Sequence, residues 1–366
     1  METGNTLRKV VHEVREVALG KQTRYEAGQL SVAAEAAEEL FASPALASTR
    51  LSYAAPGESA RIVNLLDAVE PRSKGPGGGG IFPGFLAPAL PRRRGDTHVL
   101  AGAAVITAGY LPRAQEALVD MSGPAAPLSP LGATHNLVVE FEPEKGAPWE
   151  AVEAVLRLGL LGLAASLAEA AIGAAPDMVE ELRAPTRRPS DLPRVGTITN
   201  LQTQGAFKDV FLYGRSFAGC LPTVIDPLEL EDGAVVSGQY GHPGLKNPTY
   251  LHQNHPVVAA LAARDGTDLC FGGVILCPEP VDQMGKDLVS VHAARLAVAL
   301  GWDAAIVTKE GGGNGDADAS LKMDALEDLG IVAVGIFAEM SGREGTAPPL
   351  VSPPLRASST VSSGNY

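Results

Sequence analysis

The stretch AAIVTKEGGGNGDADASLKMDALEDLGIVAVGIF, residues 304–337, decides the fold. It opens on an apolar run, Ala304 to Thr308, breaks at Gly311-Gly312-Gly313, reads as helix near Ala317 to Leu329 and closes on a second apolar run, Ile331 to Phe337. Neither run alternates polar with apolar residues, so both are strands covered on two faces, and strand, helix, strand at this spacing is a βαβ unit. Working outward, the same texture returns in strands at Val195 to Leu201, Leu269 to Leu276 and Thr360 to Val361, with helices near Val257 to Arg264 and Lys286 to Leu300. Residues 195–366 therefore read as an α/β domain with a mostly parallel sheet.

Upstream the texture differs. Short β-like runs, Arg61 to Leu65, Thr97 to Leu100, Ala104 to Thr107 and Asn136 to Phe141, are separated by Gly and Pro, with one early helix near Ala33 to Phe41. Residues 1–145 read as a β-rich domain, and 146–194 as a helical connector followed by the Pro-rich linker RAPTRRPSDLPR. The chain as a whole is α/β, α+β in arrangement. Its 366 residues and 45% hydrophobic content suit two domains of about 150 residues each.

A formal charge of −13 argues against a nucleic-acid or anionic-membrane surface, since phosphates need clustered Lys and Arg. Arg92-Arg93-Arg94 is the one basic run, in a Pro/Gly stretch that reads as a solvated loop. Cys220, Cys270 and Cys277 form no CxxC pair, which points away from a disulfide framework or thiolate zinc and toward a reducing, cytoplasmic home. The N-terminal residues lack a signal-peptide pattern, and the most apolar stretch, Leu156 to Ala175, carries Arg157 and Glu169, as a packed helix does.

Ligands of open parallel sheets bind beyond the carboxyl ends of the strands. The residues there are Cys277-Pro278-Glu279, Lys309 to Asn314, Glu339 to Arg343 and Ser362 to Asn365. EGGGNGDAD has neither the Lys-Ser/Thr of a Walker A loop nor the spacing of a dinucleotide fingerprint. Its glycines open a helix that Asp316 and Asp318 are expected to cap, leaving Glu310 and Asn314 as polar contacts to a small ligand. Lys309 reads as a solvated strand-end lysine, or as a Schiff-base former if buried. His252 and His255, three apart in TYLHQNHP, with His242 upstream, allow a three-histidine metal site. The bland alternative makes His255 the residue that starts a helix at Pro256 and gives His252 a substrate-binding or proton-transfer role. RSKGPGGGGIFPGF, residues 72–85, is either a flexible loop or one that closes over a ligand or partner.

Read together, PGESARIVNLLDAVEPRSKGPGGGGIFPGF, HVLAGAAVITAG, VDMSGP, TNLQTQG, PTVIDPLELEDGAVVSG, NPTYLHQNHPVV, EGGGNGDADASLKM and TVSSGN run in this order from residue 56 to 365. They resemble the substrate-binding proprotein of glycine/sarcosine/betaine reductase component B, related also to the D-proline reductase proprotein. The resemblance covers nearly the whole chain. It implies a subunit split internally at a Cys whose remains become a pyruvoyl group; that carbonyl forms an imine with the amino-acid substrate, and a selenol or thiol on a partner subunit displaces the amine.

The family's motif reads Asp-Gly-Ala-x-Val-Ser-Gly-Asn-Cys, whereas this chain has Asp232-Gly233-Ala234-Val235-Val236-Ser237-Gly238-Gln239-Tyr240. Tyr has no β-leaving group and cannot undergo the acyl shift and elimination that make a pyruvoyl. Ser237, three residues away, is the one other self-processing candidate. The resemblance implies a C–N bond-cleaving, reductase-like complex subunit, here without pyruvoyl or other cofactor, acting with a thiol- or selenol-bearing partner on a small amine or amino-acid derivative. Candidate catalytic residues are Tyr240, His252 and Glu310; candidate substrate contacts are Gln239, Asn254, His255, Asn314, Glu339 and Arg343. Two other readings stay open: an independent acid/base or metal-dependent enzyme, and a catalytically silent scaffold that binds a true reductase subunit.

Overall fold

In the computed structural model, the run Ala103–Ala108 is a strand buried at every position. It lies parallel to His135–Pro143 and antiparallel to Leu65–Val69, and Leu46–Ala54 completes the sheet on the far side of His135–Pro143. The described residues are 6–75, 77–89, 95–109, 117–185, 191–204, 210–238, 240–241, 245–342, 344–357 and 359–365. By contact the chain forms two compact units. The first is Met1–Leu182 with Phe211–Arg215 and Glu231–Gln253; the second is Arg183–Val210, Ser216–Leu230 and Asn254–Tyr366.

In the first unit a second sheet places Thr6–Glu13 parallel to Thr97–Ala101, which pairs antiparallel with Arg72–Lys74. The helix Trp149–Glu169 closes the core. Val152, Leu156, Leu160, Leu163 and Leu167 recur at helical spacing on its buried face, and each buried side chain of this kind contributes roughly 1.5–3 kcal/mol. Gly159 lets Phe41 approach: a Cβ there would stand 2.5 Å from the Phe41 ring. This is the one helix among the described residues long and apolar enough to cross a membrane, and 61% of its most apolar window is buried in the protein. Arg157 sits on its buried face, so the charge that interrupts the apolar run belongs to the interior.

The second unit holds the βαβ texture of the sequence. Its sheet runs Thr223–Ile225, Cys270–Pro278, Arg194–Leu201, Ala304–Thr308, Val332–Glu339 and Ser359–Asn365, parallel throughout except for the first strand. Its longer helices are Pro256–Arg264, Gln283–Ala299 and Asn314–Asp328. Ile198, Ile275, Cys277 and Val307 meet Val289, Ala293, Ala297, Met323 and Leu326 in one core. Trp302 crosses the sheet over two glycines: a Cβ at Gly196 or Gly272 would lie within 2.4 Å of its indole, and its Nε1 donates to the Gly272 carbonyl at 2.9 Å.

Candidate functional site

The segment Asp232 to Tyr240 is built into the first unit from several directions. Arg72, fully buried, pairs with Glu70 and with Glu231, and Lys74 reaches Asp232 at 2.7 Å. Thr97 donates its hydroxyl to the other Asp232 oxygen at 2.8 Å, and burial raises the Asp232 carboxyl above its ordinary value. Gly233 follows with φ of 76°, and a Cβ there would stand 2.3 Å from the ring of Phe82. Phe82 is itself buried and donates its N–H to the Asp232 carbonyl at 2.8 Å. The glycine-rich run of 72–85 is therefore anchored through Phe82 on the motif segment. Gly84 and Gly214 pass so closely that a Cβ at Gly84 would sit 1.9 Å from the Tyr213 carbonyl oxygen.

Val235–Val236 pairs antiparallel with Phe211–Leu212 and carries the chain inward to Ser237, Gly238 and Tyr240. Tyr240 is fully buried in the core. Its hydroxyl has no hydrogen-bond partner among the described residues, and burial, then the charge of Asp67, raises it well above the usual phenol value. Beside it lies the guanidinium of Arg157, 4.3 Å from the centre of the Phe211 ring, 5.9 Å from that of Tyr240 and 6.0 Å from that of Phe85. Arg157 donates to the Gly238 carbonyl at 3.2 Å, and its Nε has no acceptor among the described residues. The ring faces, that of Phe211 foremost, attract the buried cation, which keeps a donor to offer.

On the other side of the segment stands Asp67. It accepts the N–H groups of Ala68 and Thr249, each at 2.8 Å, and the Thr249 hydroxyl at 2.9 Å; that hydroxyl in turn accepts the Ser237 N–H at 2.9 Å. Burial pushes the Asp67 carboxyl up to about 6, with the Thr249 and Ala68 hydrogen bonds and the neighbouring His252 pulling it back. His252 is buried one turn beyond Thr249 on the short helix Thr249–Gln253. Asp67, Thr249, Arg157 and Phe211 have no local signal in sequence, because each comes from a separate element. Gln239 and His242 lie outside the described residues.

The second unit gathers a different polar cluster at the carboxyl ends of its strands. Glu310 is buried and accepts the Gln202 N–H at 2.7 Å. Asn314, exposed, donates to the Gln204 carbonyl oxygen at 2.6 Å; the Gln204 amide donates to Glu279 at 3.2 Å and to Asp318 at 2.9 Å. Lys286 and Lys322 both face Asp318. Burial first, then the nearby Asp318, pushes the Glu279 carboxyl up to about 8, and its Oε1 has no partner among the described residues. Four carboxyls and three lysines share this interior, and a proton on Glu279 balances them. Glu279, singled out in sequence as a strand-end residue and nothing more, is the group best suited here to hold and release a proton.

Several expectations change at this rim. Asp316 and Asp318 do not cap the helix, because it begins at Asn314 after Gly313 and both carboxylates turn inward, Asp316 to Lys309 at 2.8 Å and Asp318 to the other lysines. Lys309 is not solvated; its side chain is fully buried, 5.6 Å from the centre of the Phe337 ring. His255 caps the helix Pro256–Arg264 and pairs through Nε2 with the Thr199 hydroxyl at 2.9 Å. Asn254, half-buried, precedes it, and Glu339 at its strand end accepts the Ser341 hydroxyl at 3.1 Å. Arg343 lies outside the described residues. No three His, Cys, Asp or Glu side chains are grouped to hold a metal among the described residues. Cys277 is buried, its thiol pushed up to about 12; Cys270 is half-buried and Cys220 exposed.

A β-rich unit with a ring-walled arginine and an α/β unit with paired buried carboxyls make this an α+β protein with an ionisable interior in each part. The chain belongs to the glycine/sarcosine/betaine reductase component B subunit family, whose model matches residues 6–366. It is similar to "Glycine reductase complex component B subunits alpha and beta" of Peptoclostridium acidaminophilum, 39% identical over 358 residues, which cover 96% of this chain and 84% of the relative. The protein of the same description from Acetoanaerobium sticklandii is 36% identical over 371 residues, 100% of this chain and 85% of the relative. "Sarcosine reductase complex component B subunit alpha" of Peptoclostridium acidaminophilum is 34% identical over 357 residues, 96% of this chain and 83% of the relative. No solved structure matches.

Proposed function

We propose that this chain is the substrate-binding subunit of a reductase-like complex that cleaves a C–N bond in a small amine or amino-acid derivative. It works as an unsplit polypeptide without pyruvoyl, with a partner subunit that supplies the thiol or selenol. The relatives' descriptions support membership of a reductase complex. The observation that carries the finer reading is Tyr240: a buried aromatic residue ends the motif segment, and its side chain offers no leaving group from which a carbonyl could be made.

Without an imine, the substrate is held by hydrogen bonds and charge. Arg157 is the group in the first unit suited to a substrate carboxylate, being buried, cationic and short of an acceptor at Nε. The Asp67, Thr249 and His252 cluster offers a proton acceptor beside Ser237 for an amine. Substrates lacking a primary amine suit such a site, since nothing in it depends on condensation. Three unpaired cysteines support a cytoplasmic setting.

The test has two arms. Intact-mass spectrometry of the purified protein, with and without a hydrazine reagent, should give one chain of 37.8 kDa and no adduct. Two fragments, or an adduct near residues 237–240, would remove the central inference. Assays on N-substituted glycines and small amino acids under reducing conditions should then show turnover only when a co-purified thiol- or selenol-bearing subunit is added. Full turnover by the isolated chain favours instead an independent acid/base enzyme, a reading that Glu279 supports through its buried, proton-holding carboxyl.

A further inference from the structure

On the helix Gln283–Ala299, the residues Met284, Leu288, Val291, Arg295 and Val298 follow one another at spacings of four, three, four and three. That is the repeat of a helix-to-helix seam. Val289, Ala293 and Ala297, on the opposite face, are buried in the core of the second unit, so the helix needs no further burial for its own fold. The seam faces solvent: Met284 is 78% exposed, Leu288 57%, Val298 50% and Val291 42%, with Val281 just before the helix at 63%. Single exposed apolar residues are ordinary, whereas a continuous stripe in register over four turns marks a contact surface.

We propose that this stripe is a homodimer interface, packed antiparallel on the same helix of a second copy. The stripe is complementary to itself. Setting Leu288 opposite Val291 of the second copy brings Met284 opposite Arg295 and Val281 opposite Val298, and the two-fold axis makes every pair twice. Arg295 is exposed and has no carboxylate in ion-pair range among the described residues. In this alignment Asp287, one turn beyond Met284 and also exposed, comes within reach of its guanidinium, while Met284 covers the methylene stem. A parallel, in-register pair would place Arg295 against Arg295, so the seam's one charge selects the antiparallel arrangement.

Size-exclusion chromatography with light scattering on the full chain should give twice the 37.8 kDa chain mass at micromolar concentration. Leu288→Lys combined with Val291→Lys should give a folded monomer whose melting temperature no longer depends on protein concentration, since neither side chain is part of the unit's core. Asp287→Arg and Arg295→Asp singly should each weaken the dimer about tenfold or more, and together restore it, as expected of a coupled pair. A monomeric wild-type chain, or a dimer indifferent to Leu288→Lys with Val291→Lys, would overturn the proposal. Leu288→Lys alone, read by the same mass measurement, covers the case in which the double variant fails to fold.

Discussion

Asp67 receives both the backbone N–H of Thr249, at 2.8 Å, and its hydroxyl, at 2.9 Å, so one carboxyl fixes the start of the helix that carries His252. The same hydroxyl holds the Ser237 N–H. The motif segment and the histidine are thus positioned by a residue far from either in sequence. Asp67→Ala should unsettle both and cost several kcal/mol, because buried N–H and O–H donors are left without an acceptor.

The pH dependence of stability has a definite sign. A carboxyl whose folded pKa lies above its unfolded value holds its proton more tightly when folded; its contribution is complete below the unfolded value and is lost as pH rises through the folded one. For Asp67 that window runs from 3.8 to about 6, and for Glu279 from 4.5 to about 8. The share of stability that these two groups supply should therefore decline from pH 4 to pH 8, each with a slope of up to about 1.4 kcal/mol per pH unit. Against it stand the buried His12 and the half-buried His98 and His135, whose lowered values act in the opposite sense. Urea titrations of Glu279→Gln should flatten the decline between pH 6 and 8, and those of Asp67→Asn the decline below 6. A slope between pH 6 and 8 untouched by Glu279→Gln would mean that this carboxyl is ionised throughout.

Tyr240→Phe should leave the protein as stable or raise stability by about 1 kcal/mol, since it removes a buried hydroxyl with no partner among the described residues. Tyr240→Ala should cost about 3–5 kcal/mol by opening a cavity in the core. Denaturant midpoints separate the two. A large loss in Tyr240→Phe would reveal a partner for the hydroxyl.

Gly233→Ala combines a left-handed backbone, φ of 76°, with a contact of 2.3 Å to the Phe82 ring. It should cost about 2–4 kcal/mol and loosen the glycine-rich run, read as faster amide exchange at Phe82 and Gly84. Gly77→Ala, with φ of 79° but open space around it, should cost about 1 kcal/mol. Equal losses in the two variants would show that backbone strain alone matters at Gly233.

Arg157→Lys keeps the charge but loses the guanidinium over the Phe211 ring and the bond to Gly238. In the assembled reductase system it should raise KM for a carboxylate substrate about tenfold or more, with a smaller effect on kcat. Asn314→Ala, on an exposed residue of the other unit, should lower activity with the melting temperature within a few degrees. A loss of stability without a change in KM would reduce Arg157 to a packing role.

What the sequence determined by itself is the architecture of the second unit and the family, with Tyr240 standing where the resemblance leads one to expect a Cys. Apolar runs such as Ala304 to Thr308 and helices of regular period are local patterns, and a βαβ unit is their direct consequence. Tyr240 could be read against the motif because chemistry at one position needs one kind of side chain. Tertiary structure alone decided that Phe211–Arg215 and Glu231–Gln253 fold with the first unit, that Lys309 is buried against Asp316, and that Asp318 turns inward instead of capping its helix. It also brought Asp67, Arg157 and Thr249 to the motif segment and raised Glu279 into the neutral range. Burial and the sum of neighbouring charges act across distance, between residues separated by many tens of positions, and no local pattern records them.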